Sequence, residues 1–145
     1  MRETEERDRY LFETDAAERS IAAGLVVSLF PRFPDWSVDA DYNRMNGRFP
    51  KRIEIPAECS KGRNENGEAR VLPDVIVHGR GPAGPNLLVI ELKKTTNPDN
   101  GDCDRLRLHA FREQLRYDYG AFILCETRDR REPAMTIVEW LPING

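Results

Sequence analysis

Apolar residues at steps of four mark the first long element of the chain. Ala17, Ile21, Leu25 and Leu29 recur through residues 15–30, the stripe of an amphipathic helix facing a core. Thr14 or Asp15 stands at the N-cap, Asp15-x-x-Glu18 has capping-box spacing, and Pro31 and Pro34 stop the helix. Before it, residues 2–12 are rich in Glu and Arg and end in Tyr10, Leu11 and Phe12, which predicts a short surface helix. After it the period changes to two. Trp36, Val38, Ala40 and Tyr42 alternate with Ser37, Asp39, Asp41 and Asn43, as in a half-buried strand over 36–43.

Two strands follow at about 70–78 and 87–93, joined by the Gly/Pro loop GRGPAGP. Between them and the first strand, residues 44–70 are broken by Gly and Pro. They read as loop, with a short edge strand at Arg52–Ile55. Residues 94–102 are polar. Residues 103–118 read as a helix with Leu106, Ala110, Phe111 and Leu115 on one face, ended at Gly120. Residues 121–126 form a buried strand. Strand, helix, strand predicts that it lies parallel to Leu87–Lys93 by a right-handed crossover. Met135–Leu141 is a last strand at an edge. The fold class is therefore α/β: a mixed β-sheet of four to five strands flanked by helices, in a single domain over 1–145.

Charge enters this pattern where it is least expected. Glu91-Leu92-Lys93 closes the apolar run Leu87–Ile90, and Asp74 opens the preceding strand. Residues two apart share a strand face, so Glu91 and Lys93 point one way while Leu92 points into packing and Lys94 to the other face. Pairing of the two strands brings Asp74 beside them. Charged groups away from water need a partner or a metal. Two carboxylates and the Leu92 backbone carbonyl make a hard oxygen site suited to Mg²⁺ or Mn²⁺. An ammonium two residues on can orient or deprotonate a water and offset charge on a phosphate. A plain ion pair between Glu91 and Lys93 contributes only about 0.2–1 kcal/mol and does not account for three converging charges.

Pro73-Asp74, a spacer and Glu91-Leu92-Lys93 resemble the motif of the PD-(D/E)XK nuclease superfamily. The stretches ERSIAAGLVVSLFPRFPDWSVDADYNR, VLPDVIVHGR, LLVIELKK and YGAFILCETR are similar to small uncharacterised bacterial proteins of that superfamily. The resemblance implies a restriction-endonuclease-like core and a Mg²⁺- or Mn²⁺-dependent nuclease. Asp74, Glu91 and the Leu92 carbonyl would bind the ion, and Lys93 would position or activate water. Glu18, on the first long helix, matches a glutamate that many members add to the site; helix capping with Asp15 is its competing role. The implied partner is nucleic acid, DNA in preference to RNA, contacted by Arg44, Arg48 and Lys94. Members that cut both strands often dimerise, so a homodimer fits the resemblance, and a partner protein could supply targeting. The alternative on the same fold is a non-catalytic nucleic-acid-binding or scaffold module.

Composition narrows this further. With 145 residues, 39% hydrophobic and 32% charged, the chain suits one soluble globular domain. No apolar run approaches the roughly 18 residues of a membrane span, and the charged N-terminus is unlike a signal peptide, so an intracellular, cytoplasmic placement is expected. Net charge is −3, which opposes a non-specific nucleic-acid coat. Residues 44–70 nonetheless hold seven basic residues against four glutamates, enough to steer a polyanion or simply to line a solvated loop. Cys59, Cys103 and Cys125 lack C-x-x-C spacing and read as reduced structural thiols. His78 lies on the Asp74 face and reads as a surface histidine at a strand end in preference to a ligand, and His109 as a solvated or packing residue. Tyr117 and Tyr119 read as packing residues, with base stacking the other role open to them.

Overall fold

A computed structural model describes residues 1–40, 52–59, 68–70, 72–80, 84–128 and 134–142. Their helices are α1 (Arg2–Arg7), α2 (Arg9–Glu13), α3 (Glu18–Leu29) and α4 (Asp102–Gln114). The strands are β1 (Ser37–Ala40), β2 (Arg52–Glu54), β3 (Glu68–Arg70), β4 (Val75–His78), β5 (Asn86–Lys94), β6 (Tyr119–Cys125) and β7 (Met135–Leu141). Five strands form one mixed sheet in the order β1-β4-β5-β6-β7, and β2 pairs with β3 separately. The β5/β6 pair is parallel; β1/β4, β4/β5 and β6/β7 are antiparallel. The expected hairpin, the parallel return through α4 and the edge position of β7 are all present.

Both faces of the sheet are covered, which is why β4 and β5 read as near-continuous apolar runs rather than alternating ones. On one face Val75, Val77, Ile90 and Leu92 meet Ile21 and Leu25 of α3. On the other, Ile76, Val89 and Phe122 meet Leu108 and Phe111 of α4. β5 is central, and its C-terminal end, where the charged triplet falls, runs on past the last β4 pair while staying paired with β6. α4 buries Asp104, Leu108, Ala110 and Phe111, and its C-cap Leu115 is buried too, whereas the expected face residue Leu106 is 45% exposed. The true stripe is shifted, because 104, 108, 111 and 115 step along one helical face. Gly101 precedes α4 at φ +84, and a Cβ there would sit 3.1 Å from the Phe122 ring.

The N-terminal region differs from expectation in two ways. Residues 2–12 break into α1 and α2 at Asp8, and they are not a surface appendage, since Thr4 and Phe12 are buried. The capping box does not form either. α3 starts at Glu18 with Ala17 as a cap lacking any side-chain bond. Asp15 sits outside the helix at φ 54. Its carboxylate accepts hydrogen bonds from Thr127 Oγ1 (2.6 Å), Thr96 Oγ1 (2.8 Å) and Lys94 Nζ (3.2 Å), and pairs with Arg128 (3.1 Å). One carboxylate thus ties the segment before α3 to the loops after β5 and β6.

The Thr127 hydroxyl above all, then Thr96 and Lys94, holds the Asp15 carboxyl down at about 2, below its ordinary 3.8. A depressed carboxyl stabilises the fold above the unfolded value and loses that contribution as pH falls through the folded one. Asp15→Asn is therefore expected to melt below the wild type from pH 5 to 7, with the two melting curves converging near pH 2. Parallel curves across that range would refute the clasp.

Cys59 and Cys103 form a disulfide, correcting the expectation of three reduced thiols; Cys125 is free and buried. The spacing concealed the pair because its partners are 44 residues apart. Disulfides of this kind are rare in reducing compartments. Among the described residues no helix is long and apolar enough to cross a membrane.

Candidate active site

Asp74, Glu91 and Lys93 come together at the C-terminal end of β5, on the face that α4 covers. The last registered pair of the hairpin is Val75 with Ile90, so the next residues outward, Asp74 and Glu91, lie across from each other. Asp74 Oδ2 accepts the Leu92 main-chain N–H at 2.7 Å. The N–H and C=O of one strand residue point to the same side, so the Leu92 carbonyl also opens toward Asp74. Glu91 is 3% exposed and its carboxyl lies against that of Asp74. Among the described residues Glu91 Oε1, like Asp104 Oδ2, is buried with no hydrogen-bond partner.

Two carboxyls in contact inside a protein cannot both ionise cheaply. Burial first, then the Asp74 charge, pushes the Glu91 carboxyl well above its usual range. Burial also lifts Asp74 to about 6, against the opposing Leu92 N–H, with the Glu18 charge adding to the rise.

Lys93, 5% exposed, shares the face of Glu91. Its Nζ lies 2.9 Å from Asp104 Oδ2 and 3.5 Å from Asp99 Oδ2. Asp104 in turn accepts Arg107 Nη2 through its other oxygen. Glu18 reaches the same strand end from α3 on the opposite face. Its Oε1 accepts the Lys94 N–H at 3.1 Å and the Asn97 amide at 3.5 Å. It thus holds the end of β5 in place and acts on Asp74 through its charge. Lys94 points to the α3 side and pairs with Asp15 at 3.2 Å, so its ammonium is already engaged within the fold. Arg44 and Arg48, the other two expected phosphate contacts, lie outside the described residues, as do Asp41, Tyr42 and Asn43.

Asp104 is the site residue that sequence reasoning missed. The signal was present: an aspartate occupies a position of the α4 stripe otherwise filled by Leu108, Phe111 and Leu115. A buried carboxylate in an apolar stripe requires a cation, and Lys93 is that cation. His78 also departs from expectation. It is 3% exposed and bonded to Asp39 at 2.7 Å, at the far end of the same face. His109 binds Glu139 at 2.6 Å, Tyr117 is buried, and Tyr119 stacks on Trp140 at 5.7 Å.

Among the described residues, no three His, Cys, Asp or Glu side chains form a metal cage. No protein-family model, curated protein or solved structure matches the chain.

Proposed function

We propose that the chain is a metal-dependent nuclease with a restriction-endonuclease-like core of the PD-(D/E)XK type. The observation that carries this reading is the Asp74–Glu91 carboxyl pair, held in contact at a strand end with Lys93 on the same face. Such a buried pair is costly without a cation, and Glu91 Oε1 has no hydrogen-bond partner among the described residues. The donor set fits Mg²⁺ or Mn²⁺, which bind through one or two carboxylates and retain several waters. Asp74, Glu91 and the Leu92 carbonyl would hold the ion. When bound, the ion lowers the pKa of its water and offsets charge on the phosphate.

The remaining work falls to the chain. Lys93 directs an ammonium N–H to an oxygen of the attacking water or the phosphodiester. Water oxygen adds to phosphorus, the bond from phosphorus to the leaving sugar oxygen breaks, and the water proton passes to solvent while the leaving oxygen is protonated. Glu18 keeps the end of β5 in place by binding the Lys94 N–H. DNA is the preferred substrate, and Arg44 and Arg48 are proposed to contact its backbone; Lys94 would need release from Asp15 to join them.

The alternative is a non-catalytic nucleic-acid-binding or scaffold module. One observation favours it: the Lys93 ammonium is already occupied by Asp104 and Asp99. Incubation of supercoiled, linear, single-stranded and branched DNA, and of RNA, with Mn²⁺ or Mg²⁺ separates the two. Lys93→Ala is expected to keep Mn²⁺ affinity by calorimetry and to lose about 10²–10³-fold in turnover. Cleavage retained by that variant removes Lys93 from the mechanism. No cleavage by the wild type, together with no Mn²⁺ binding that depends on Asp74, favours the module.

A further inference from the structure

The Lys93 side chain needs an anchor if its ammonium is to act at one fixed point. Two carboxylates compete for that part, and they differ in kind. Asp99 lies in the loop between β5 and α4, its side chain is 52% exposed, and it stands 3.5 Å from Nζ. Its Oδ1 is already committed to the Gly101 N–H at 2.9 Å. Asp104 is on the first turn of α4, its side chain is 9% exposed, and it stands 2.9 Å from Nζ. Its second oxygen is braced by Arg107 one helical turn on. Charges in a helix-borne, buried pair are screened less and move less than those on an exposed loop.

We propose that Asp104 is a positioning residue of this site, holding the Lys93 ammonium beside the Asp74–Glu91 pair, with Arg107 as its brace. The inference rests on the nuclease reading for its purpose but not for its geometry. Asp104 touches no reacting atom in this role. Its carboxylate fixes the position of a lysine whose flexible stem would otherwise sample several rotamers. The arrangement also explains why an aspartate is tolerated in the apolar stripe of α4.

The test is nuclear magnetic resonance of lysine ammonium groups in the metal-free chain, labelled with nitrogen-15, at fixed pH. A buried, ion-paired ammonium exchanges slowly enough to give a signal. Lys93→Ala assigns it by its loss. Asp104→Asn is expected to abolish the Lys93 signal while the backbone amide spectrum stays folded, Asp104→Glu to restore it in part, and Asp99→Asn to leave it. Survival of the signal in Asp104→Asn, or its loss in Asp99→Asn, overturns the proposal. Should Asp104→Asn not fold, Arg107→Gln decides: it keeps the carboxylate and removes the brace, and an unchanged Lys93 signal there counts against the arrangement.

A second readout concerns turnover. Asp104→Asn is expected to lower kcat about 10–100-fold with KM and Mn²⁺ affinity unchanged, as for a misplaced catalytic group. A change in KM or Mn²⁺ affinity instead would assign Asp104 to binding. If the wild type neither cleaves the nucleic acids nor binds Mn²⁺ through Asp74, the nuclease reading falls, and the ammonium signal still decides the anchor.

Discussion

Asp74→Asn is expected to abolish Mn²⁺ binding in calorimetry and to reduce cleavage about 10³-fold or more, while raising the melting temperature of the metal-free protein at pH 7.5. The two effects come from one cause. Burial lifts the Asp74 carboxyl to about 6 from its ordinary 3.8, and Glu91 sits against it. A carboxyl raised on folding stabilises the native state fully below its unfolded value, and that contribution is lost as pH rises through the folded value. At pH 7.5 the ionised Asp74 is therefore a burden on the fold. Asparagine keeps the shape and an acceptor for the Leu92 N–H but cannot ionise. At 1.36 kcal/mol per pKa unit the gain is of order 3 kcal/mol, or about 6–12 °C.

The gain should shrink as the pH is lowered through 6 and vanish near pH 4, where the wild-type carboxyl is itself neutral. Added Mn²⁺ should raise the wild-type melting temperature and leave the variant unmoved, because only a site that binds the folded state can stabilise it. A variant that melts lower than the wild type at pH 7.5 would show that Asp74 is a structural residue, and one that cleaves normally would remove it from the site. Loss of function joined to a gain in stability is the mark of a group kept against the interest of the fold.

The central part of this architecture was legible because its signals were continuous. Val75–Val77 and Leu88–Ile90 are buried on both faces, so hydrophobicity alone marks them as inner strands, and the charges at 74, 91 and 93 stand out against that background. The convergence of Asp74 with Glu91 followed from period-two faces and antiparallel pairing. What was not legible depends on partners far away in sequence. Asp15 looked like a helix cap because local spacing allows it, but Thr127, 112 residues on, offers a stronger set of bonds and draws the carboxylate out of the cap. Glu18 reads as a capping partner or a site glutamate; no cap forms, and its carboxylate accepts the Lys94 main-chain N–H. Asp104 was hidden because the α4 face was assigned through Leu106, one helical face away from the buried stripe. His78 was assigned to the surface from its strand-end position, and only pairing with β1 brings Asp39 to it.

Reduction of the Cys59–Cys103 bond is expected to lower the melting temperature by about 10 °C, the second large effect. The two cysteines are 44 residues apart. Cross-linking a loop of that length removes about 4 kcal/mol of chain entropy from the unfolded state. The bond also has a place in the fold. α4 is held to the segment before Cys59 at both ends: Cys103 by the disulfide, and Gln114 by hydrogen bonds with the Glu54 main chain at 2.7 and 2.9 Å. Melting curves with and without a phosphine reductant, set beside a Cys59→Ser, Cys103→Ser double variant, measure the effect. A shift of under about 1 °C would mean that the bond constrains nothing the fold does not already fix. Cys103 directly precedes Asp104, so the first turn of α4 is where the loss should be felt first. Reduced protein should therefore show weakened protection of the Lys93 ammonium at temperatures well below melting. Chain entropy in the unfolded state would not produce that change; it would arise only if the disulfide helps set the side of α4 that faces Asp74 and Glu91.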